Sequence, residues 1–175
     1  HGAVFAGRDR EEAFFRAKLL EEICRRACGG QPREEIPFDA PLAQSLLKRA
    51  REAFGCAALE ASAPALACAA IGKALPAQLD DAAQMIGADI PAAKPREKAV
   101  LRALRRRGAA LVPGVGAICR ASNEGDCRAL CALVKKACVC FLHARAFGAR
   151  SRLSLFDTAL MRVIYIRKYR NKTGG

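Results

Sequence analysis

Residues 109–127 read AALVPGVGAICRASNEGDC, and this stretch decides the fold. Two short apolar runs, Ala109 to Val112 and Gly116 to Cys119, stand on either side of Pro113-Gly114. Apolar runs of this length separated by Pro-Gly are typical of two strands joined by a turn. Asn123 follows the second run, and its side chain is one of those that best cap a helix. The stretch therefore predicts a strand, a turn, a second strand and the start of a helix.

The helix after this turn is predicted to run from about Asn123 to Phe147. Its apolar positions recur three and four residues apart, which is the period of a helix that buries one face. These positions are Cys127, Cys131, Val134, Cys138 and Phe141. We expect them to pack against a sheet that contains both strands.

The start of the chain repeats this unit at an offset of 114 residues. Gly2-Ala3 aligns with Gly116-Ala117, and Asp9, another good N-cap, aligns with Asn123. Two copies of one unit predict duplicated domains. The copies differ at one decisive position, because His1 of the first copy corresponds to Val115 of the second. Since the chain opens within this motif and without Met, we expect it to be the C-terminal part of a longer protein.

The rest of the chain predicts further helices and one more short strand. Gly29-Gly30 ends the first helix, and the stretch Gln31 to Pro41 holds three prolines, as linkers often do. Pro95 is placed at the first helical position, and Ser154 with Asp157 forms a capping box. The alternation of strands and helices indicates an α/β fold. The predicted helices are Asp9–Ala27, Leu42–Phe54, Ala65–Lys73, Leu79–Gly87, Pro95–Arg107 and one from Ser154, and the strand is Ala57–Ala61.

Composition places the chain among globular proteins that do not enter a membrane. It has 175 residues, 52% of them hydrophobic, which is enough for a core. No apolar run reaches the length of a spanning helix, and the N-terminus has neither the charge nor the apolar stretch of a signal peptide. We therefore expect no membrane contact and a cytoplasmic location.

Nine cysteines are a high count for a chain of this size. An odd number at irregular spacing does not match a secreted disulfide framework and fits reduced thiols in a cytosolic protein. Cys24 and Cys28, like Cys127 and Cys131, lie four residues apart along predicted helices, where cysteine packs as a small hydrophobic residue. Structural zinc sites prefer Cys-x2-Cys pairs on turns, so we favour packing over a zinc–thiolate site.

The net charge of +13 is concentrated late in the chain. Residues 141–175 contain eight Lys or Arg and a single acid, Asp157, and such a surface attracts phosphate on a sugar, a nucleic acid or a membrane. Zinc-finger, RNA-recognition and helix-turn-helix patterns are missing from the sequence, and aromatic residues are scarce, so nucleic-acid binding is the weaker alternative. The residues that favour it, besides this basic C-terminus, are Arg102, Arg105, Arg106 and Arg107.

Three segments, taken in their order along the chain, resemble the class II aldolase/adducin family. His1-Gly2-Ala3 through Leu20 is similar to the family's His-Gly turn with its strand and helix, and so is Leu111 to Ala117 with the helix that follows. Asp80 to Gly87, followed by Ile90-Pro91, is similar to the segment before that turn. The resemblance implies a three-layer α/β/α fold with an incomplete first domain and a shortened second one. Residues 1–30 would be the tail of the first domain, 31–41 a linker and 42–175 the second domain.

The same resemblance implies a metal-dependent reaction on a ketose phosphate. Enzymes of the family hold a divalent metal, usually zinc, with three histidines, and the metal stabilises an enediolate during cleavage or epimerisation. Only His1 matches one of these ligands. The His-x-His pair, the Glu acid/base and the phosphate loop do not occur in this sequence, so it offers no catalytic residue and its substrate-binding residues are unknown. Val115 cannot bind a metal, and we interpret the second copy as degenerate.

We therefore expect the intact protein to be a zinc-dependent sugar-phosphate lyase or epimerase that forms a homo-oligomer, because active sites in the family commonly lie between subunits. The 175 residues alone are expected to hold no metal and to be inactive. An adducin-like assembly or binding domain without catalysis is the first alternative, and nucleic-acid binding through the basic C-terminus is the second.

Three further candidate sites have plainer interpretations. His143 lies within the long predicted helix and is interpreted as a solvated or core-edge histidine. Asp80-Asp81 is interpreted as negative charge at a helix N-terminus and not as a catalytic carboxylate pair. The basic segment 165–169, which also carries two tyrosines, is interpreted as a solvated face, although it could reach phosphate at a neighbouring site.

Overall fold

The computed structural model describes residues 8–15, 18, 36–148 and 152–168, and the chain divides into a unit of residues 1–35 and a unit of residues 36–175. In the first unit, residues 10–15 are helical. The Asp9 carboxylate accepts a hydrogen bond from the Glu12 N–H at 2.8 Å, which confirms the predicted cap. Glu12 accepts in turn from the backbone N–H of Arg8 at 2.7 Å. His1, the predicted metal ligand, lies outside the described residues.

The second unit contains six helices and five strands in its described part. In chain order they are α1 (Ala40–Phe54), β1 (Ala57–Glu60), α2 (Ala63–Ala70), β2 (Leu75–Pro76), α3 (Asp80–Met85), β3 (Asp89–Ile90), α4 (Glu97–Arg106), β4 (Ala109–Val112), β5 (Gly116–Arg120), α5 (Glu124–Ala146) and α6 (Leu155–Lys168).

A three-stranded antiparallel sheet in the order β1-β5-β4 forms the centre of this unit. β4 and β5 form the hairpin that the opening stretch predicts, with Val112 paired to Gly116 at the turn. β1 adds to the other side of β5, with Ala57 opposite Arg120 and Glu60 opposite Ala117. β2 and β3 make a separate two-stranded ladder that the sequence did not predict.

Helices cover both faces of the sheet, and this gives the three layers. α1 and α4 pack on one face, where Leu46 and Leu104 meet Val112 and Ile118. α2, α3 and α5 pack on the other, where Val134 of α5 lies in the same cluster as Leu111 and Cys119. Successive residues of β4 point to opposite faces, and all four are buried because both faces are covered. The predicted α/β/α arrangement is confirmed.

The long helix α5 closely follows its prediction. The Asn123 side chain accepts a hydrogen bond from the Asp126 N–H at 2.9 Å and so caps the first turn. Cys127, Cys131, Val134 and Cys138 are all buried, as the stripe predicts, and Phe141 packs against the same cluster. Ser154 likewise caps α6, because its Oγ accepts from the Asp157 N–H at 3.0 Å.

Three predicted helix starts are displaced, and α2 begins at Ala63, two residues before its predicted start at Ala65. Pro95 is not the first residue of α4, since the N-cap is Arg96, whose carbonyl accepts the Val100 N–H at 3.1 Å. The N-terminal proline belongs instead to α1, which begins at Ala40 and has Pro41 in its first turn. Asp39 explains the earlier start, because its carboxylate caps Leu42 at 2.9 Å. The assignment of residues 31–41 to a linker and the two predicted domain boundaries stay predictions.

None of the helices in the described segments has both the length and the apolarity that crossing a membrane would need.

Candidate functional site

The turn between β4 and β5 is the place where the resemblance puts a metal-binding histidine. Val115 closes the turn by donating its N–H to the Val112 carbonyl at 3.0 Å. Gly114 precedes it with a φ of 74°, and its carbonyl accepts the Asp39 N–H at 2.7 Å. The turn is therefore tied to the residue that caps α1, so a helix far away in sequence holds its position.

Gly116 allows the close approach of β1 to this turn. Its φ is 98°, and a Cβ at this position would lie 2.4 Å from the Glu60 carbonyl oxygen and 3.2 Å from the Ala61 Cα. Both of these atoms are backbone, so they cannot swing aside as a side chain would. A glycine is required here for reasons of fold, whatever residue precedes it.

Val115 itself is fully buried and belongs to the cluster between α1, α4 and the sheet. Its side chain offers no atom that binds a metal. The carboxylates of the two neighbouring acids already accept hydrogen bonds from backbone N–H groups. Asp39 accepts the Leu42 N–H, and Glu60 accepts the Ser62 N–H at 3.0 Å. Among the residues that the structure describes, no three His, Cys, Asp or Glu side chains are grouped to hold a metal ion. The residues at this turn do not fit the metal that the family's fold implies.

A second candidate is a cleft of about 260 Å³ beside α6, lined by Gly87, Ala88, Arg107, Leu155, Thr158, Ala159, Arg162 and Val163. Two guanidinium groups border it. Arg107 forms an ion pair with Asp89 at 3.1 Å, and Arg162 donates to the carbonyls of Gln84 at 2.6 Å and Met85 at 2.5 Å. Arg162 thus holds α6 to the end of α3, and Arg107 holds the end of α4 to β3. The sequence did not reveal this cleft, because its walls come from distant segments.

The basic residues predicted for a nucleic-acid surface do not stay together. Arg102, Arg105 and Arg106 are exposed on α4, whereas Arg107 turns to Asp89 and is less than a quarter exposed. His143 is exposed near the end of α5, in line with its interpretation as a solvated residue. Asp80 and Asp81 lie in the first turn of α3, which confirms their placement at a helix N-terminus.

Comparison with solved structures identifies the fold. The chain superposes on L-fuculose 1-phosphate aldolase with a TM-score of 0.62 and 17% sequence identity, over 70% of this chain and 63% of that one. It has the class II aldolase fold. YgbL from Klebsiella pneumoniae, a candidate aldolase/epimerase/decarboxylase, matches with a TM-score of 0.59 and 10% identity, over 69% of this chain and 65% of that one. YgbL from Escherichia coli matches with a TM-score of 0.52 and 12% sequence identity, over 70% of this chain and 64% of that one.

The class II aldolase fold is confirmed by shape alone. No protein-family model and no curated protein sequence matches this chain. The chain spans less than two thirds of the length of the aldolase-fold structures that it matches. At identities between 10% and 17%, activity does not follow from the fold.

Proposed function

We propose that this chain is part of a metal-dependent sugar-phosphate aldolase or epimerase with two related domains. In this proposal residues 42–175 form the second domain, which has the fold of the first but no catalytic role. One observation carries the proposal. In the second copy a buried valine fills the turn of an aldolase fold, while the aligned position in the first copy is His1. The names of the matched structures, an L-fuculose 1-phosphate aldolase among them, support a sugar phosphate as the substrate class.

The number of histidines limits what this chain can do alone. The sequence contains two, His1 and His143, and His143 is exposed on α5. A catalytic zinc site takes about three protein ligands and leaves one position open for substrate. In this proposal the other ligands and the acid/base are supplied by residues outside this sequence. When bound, the metal would act as a Lewis acid on the enediolate oxygens, and His1 is the one residue of this chain assigned to hold it. A cytoplasmic location remains part of the proposal.

The activity prediction follows directly from this ligand count. Incubated with zinc and a panel of ketose phosphates, the 175-residue chain should give no cleavage or epimerisation above a zinc-only blank. A longer form that carries the upstream ligands should turn over, and His1→Ala should lower kcat/KM by more than about 100-fold. His143→Ala is the matched control and should leave the rate unchanged. Turnover by the 175-residue chain, or activity that survives a chelator, would contradict the proposal.

An assembly role is the second candidate, and the outer face of α6 favours it. Thr158 of α6 is buried, and this side of the helix packs against α3. The opposite side exposes Phe156 by 76%, Leu160 by 49% and Ile164 by 50%. A helix that is apolar on both sides is typical of one that is covered on both sides.

The spacing along this face indicates a second copy of the same helix as its partner. Phe156, Leu160, Val163 and Arg167 are four, three and four residues apart, which is the seam of a pair of packed helices. In an antiparallel pair related by a twofold axis, Arg167 of one copy lies near Asp157 of the other. Opposite charges and opposed helix dipoles would then meet at both ends of the seam.

Self-association should therefore depend on Leu160. In sedimentation equilibrium the 175-residue chain should populate a dimer, and Leu160→Asp should shift it to monomer, because a buried unpaired carboxylate opposes association. Lys135→Asp, an exposed position on α5, makes an opposite-charge control and should leave the dimer intact. A monomeric wild-type chain, or a dimer that persists in Leu160→Asp, would refute the helix seam.

A further inference from the structure

Three cysteines of α5 each meet a cysteine from a different segment. Cys127 lies against Cys56 in the loop between α1 and β1, with the two Sγ atoms 3.2 Å apart. Cys131 lies in the same buried cluster as Cys119 of β5. Cys138 meets Cys68 of α2, whose thiol also donates to the Cys138 carbonyl at 3.7 Å. All of these thiols are free.

The Cys56–Cys127 pair differs from the other two in access. Cys68, Cys119, Cys131 and Cys138 are all buried, whereas Cys56 is partly exposed. Gly55, which precedes it, is exposed, and nothing lies within 4 Å of where its Cβ would be. A small reagent can thus reach Cys56, whereas Cys127 is fully buried and is in contact with Cys56.

We propose that Cys56 and Cys127 form a thiol pair that a low-molecular-weight disulfide, such as oxidised glutathione, converts into an intramolecular disulfide within the folded domain. Neither residue belongs to the β4–β5 turn or to the cleft beside α6, so this modification site is independent of the proposed enzyme activity. Its geometry is favourable because the two sulfur atoms already touch, with Cys127 held on α5 and Cys56 in the short loop between α1 and β1.

The reaction proceeds in two exchanges. The Cys56 thiol loses its proton to solvent, and the thiolate attacks one sulfur of the reagent, forming a mixed disulfide and releasing the first glutathione. Cys127 then loses its proton and attacks the Cys56 sulfur, which forms the protein disulfide and releases the second glutathione. Two protein thiols are oxidised, and one reagent disulfide is reduced to two thiols.

The second exchange should be the slow one. Two main causes raise the pKa of Cys127 to about 11: burial is the larger, and the hydrogen bond to Cys56 is the smaller. Only the thiolate attacks, so closure of the disulfide should accelerate roughly tenfold for each pH unit between pH 7 and 9. Cys56 and Cys131 are the titratable side chains that act on Cys127. A mixed disulfide on Cys56 should therefore accumulate at neutral pH and resolve at higher pH.

The test is oxidation of the folded 175-residue chain with oxidised glutathione, followed by mass spectrometry of the digest. Cleavage after Glu60 separates Cys56 from Cys68, and cleavage after Arg128 separates Cys127 from Cys131. The expected product is one cross-linked peptide pair that joins Cys56 to Cys127. The disulfide closes a loop of about 70 residues, so we expect the melting temperature to rise by roughly 10 °C on oxidation.

Three variants make the experiment decisive. Cys127→Ser should retain glutathione on Cys56 at all pH values, and Cys56→Ser should form no cross-link to Cys127. Cys140→Ser, which removes another partly exposed cysteine of α5, should behave as wild type. Links between other cysteines, unchanged cross-linking in Cys56→Ser or a lower melting temperature after oxidation would each overturn the proposal.

Discussion

Gly116→Ala should lower the free energy of unfolding by about 3 kcal/mol or more, since two separate penalties meet at this residue. The backbone φ of 98° is one that residues with a side chain rarely adopt. The added Cβ would also lie 2.4 Å from the Glu60 carbonyl oxygen. Glu60 cannot retreat without loss, because it is paired with Ala117 in the sheet. We expect β1 to separate from β5 at this end.

Gly114→Ala is the matched control, two residues away in the same turn. Its φ of 74° imposes a similar backbone penalty, but the closest neighbour of a Cβ there is the Asp39 Cβ at 4.0 Å. We expect a loss of only about 1 kcal/mol. Urea unfolding of the two variants, monitored by circular dichroism, separates the cost of backbone strain from the cost of the clash with β1. Equal losses in both variants would show that β1 does not approach Gly116 as closely as the structure has it.

The parts of this fold that the sequence predicts are those held by local interactions. The β4–β5 hairpin needs only Pro113-Gly114 and two short apolar runs. The helix α5 needs a cap at Asn123 and apolar residues spaced three and four positions apart. Both depend on residues a few positions apart, where turn and capping chemistry act. The error at Pro95 is of the same local kind, because proline is tolerated at more than one position around a helix start.

The parts that the sequence does not predict depend on contacts between distant residues. The strand β1 was expected, but nothing in Ala57–Glu60 shows that it pairs with β5, because register is set by the assembled core. Arg107 belongs to a basic run in the sequence and nevertheless turns to Asp89 of β3. The Cys56–Cys127 contact likewise joins segments that share no local signal. Of the candidate site, the replacement at Val115 could be read from the sequence, whereas its burial by α1 and α4 could not.

Val115→His tests whether the second copy retains any remnant of a metal site. The residue is fully buried among apolar side chains of α1, α4 and the sheet. An imidazole there would lose its hydrogen bonds to water, and the acids around the turn already accept hydrogen bonds from backbone N–H groups. We expect a loss of about 3 kcal/mol in the free energy of unfolding at pH 7.5. Val115→Leu adds bulk without a polar group and should lose only about 1 kcal/mol.

The dependence on pH and zinc then distinguishes a buried imidazole from a metal ligand. Burial disfavours the charged form, so the introduced imidazole should have a lower pKa in the folded than in the unfolded chain. The unfolded state then binds more protons below about pH 6.5, and Val115→His should lose further stability as the pH falls through that value. Zinc should leave the urea midpoint of Val115→His unchanged, because the two acids beside the turn, Asp39 and Glu60, already accept hydrogen bonds from backbone N–H groups. A zinc-dependent rise of the midpoint in Val115→His, absent from wild type and from Val115→Leu, would mean that a ligand set survives at this turn. The second copy would then retain part of a metal site, which would contradict its interpretation as degenerate.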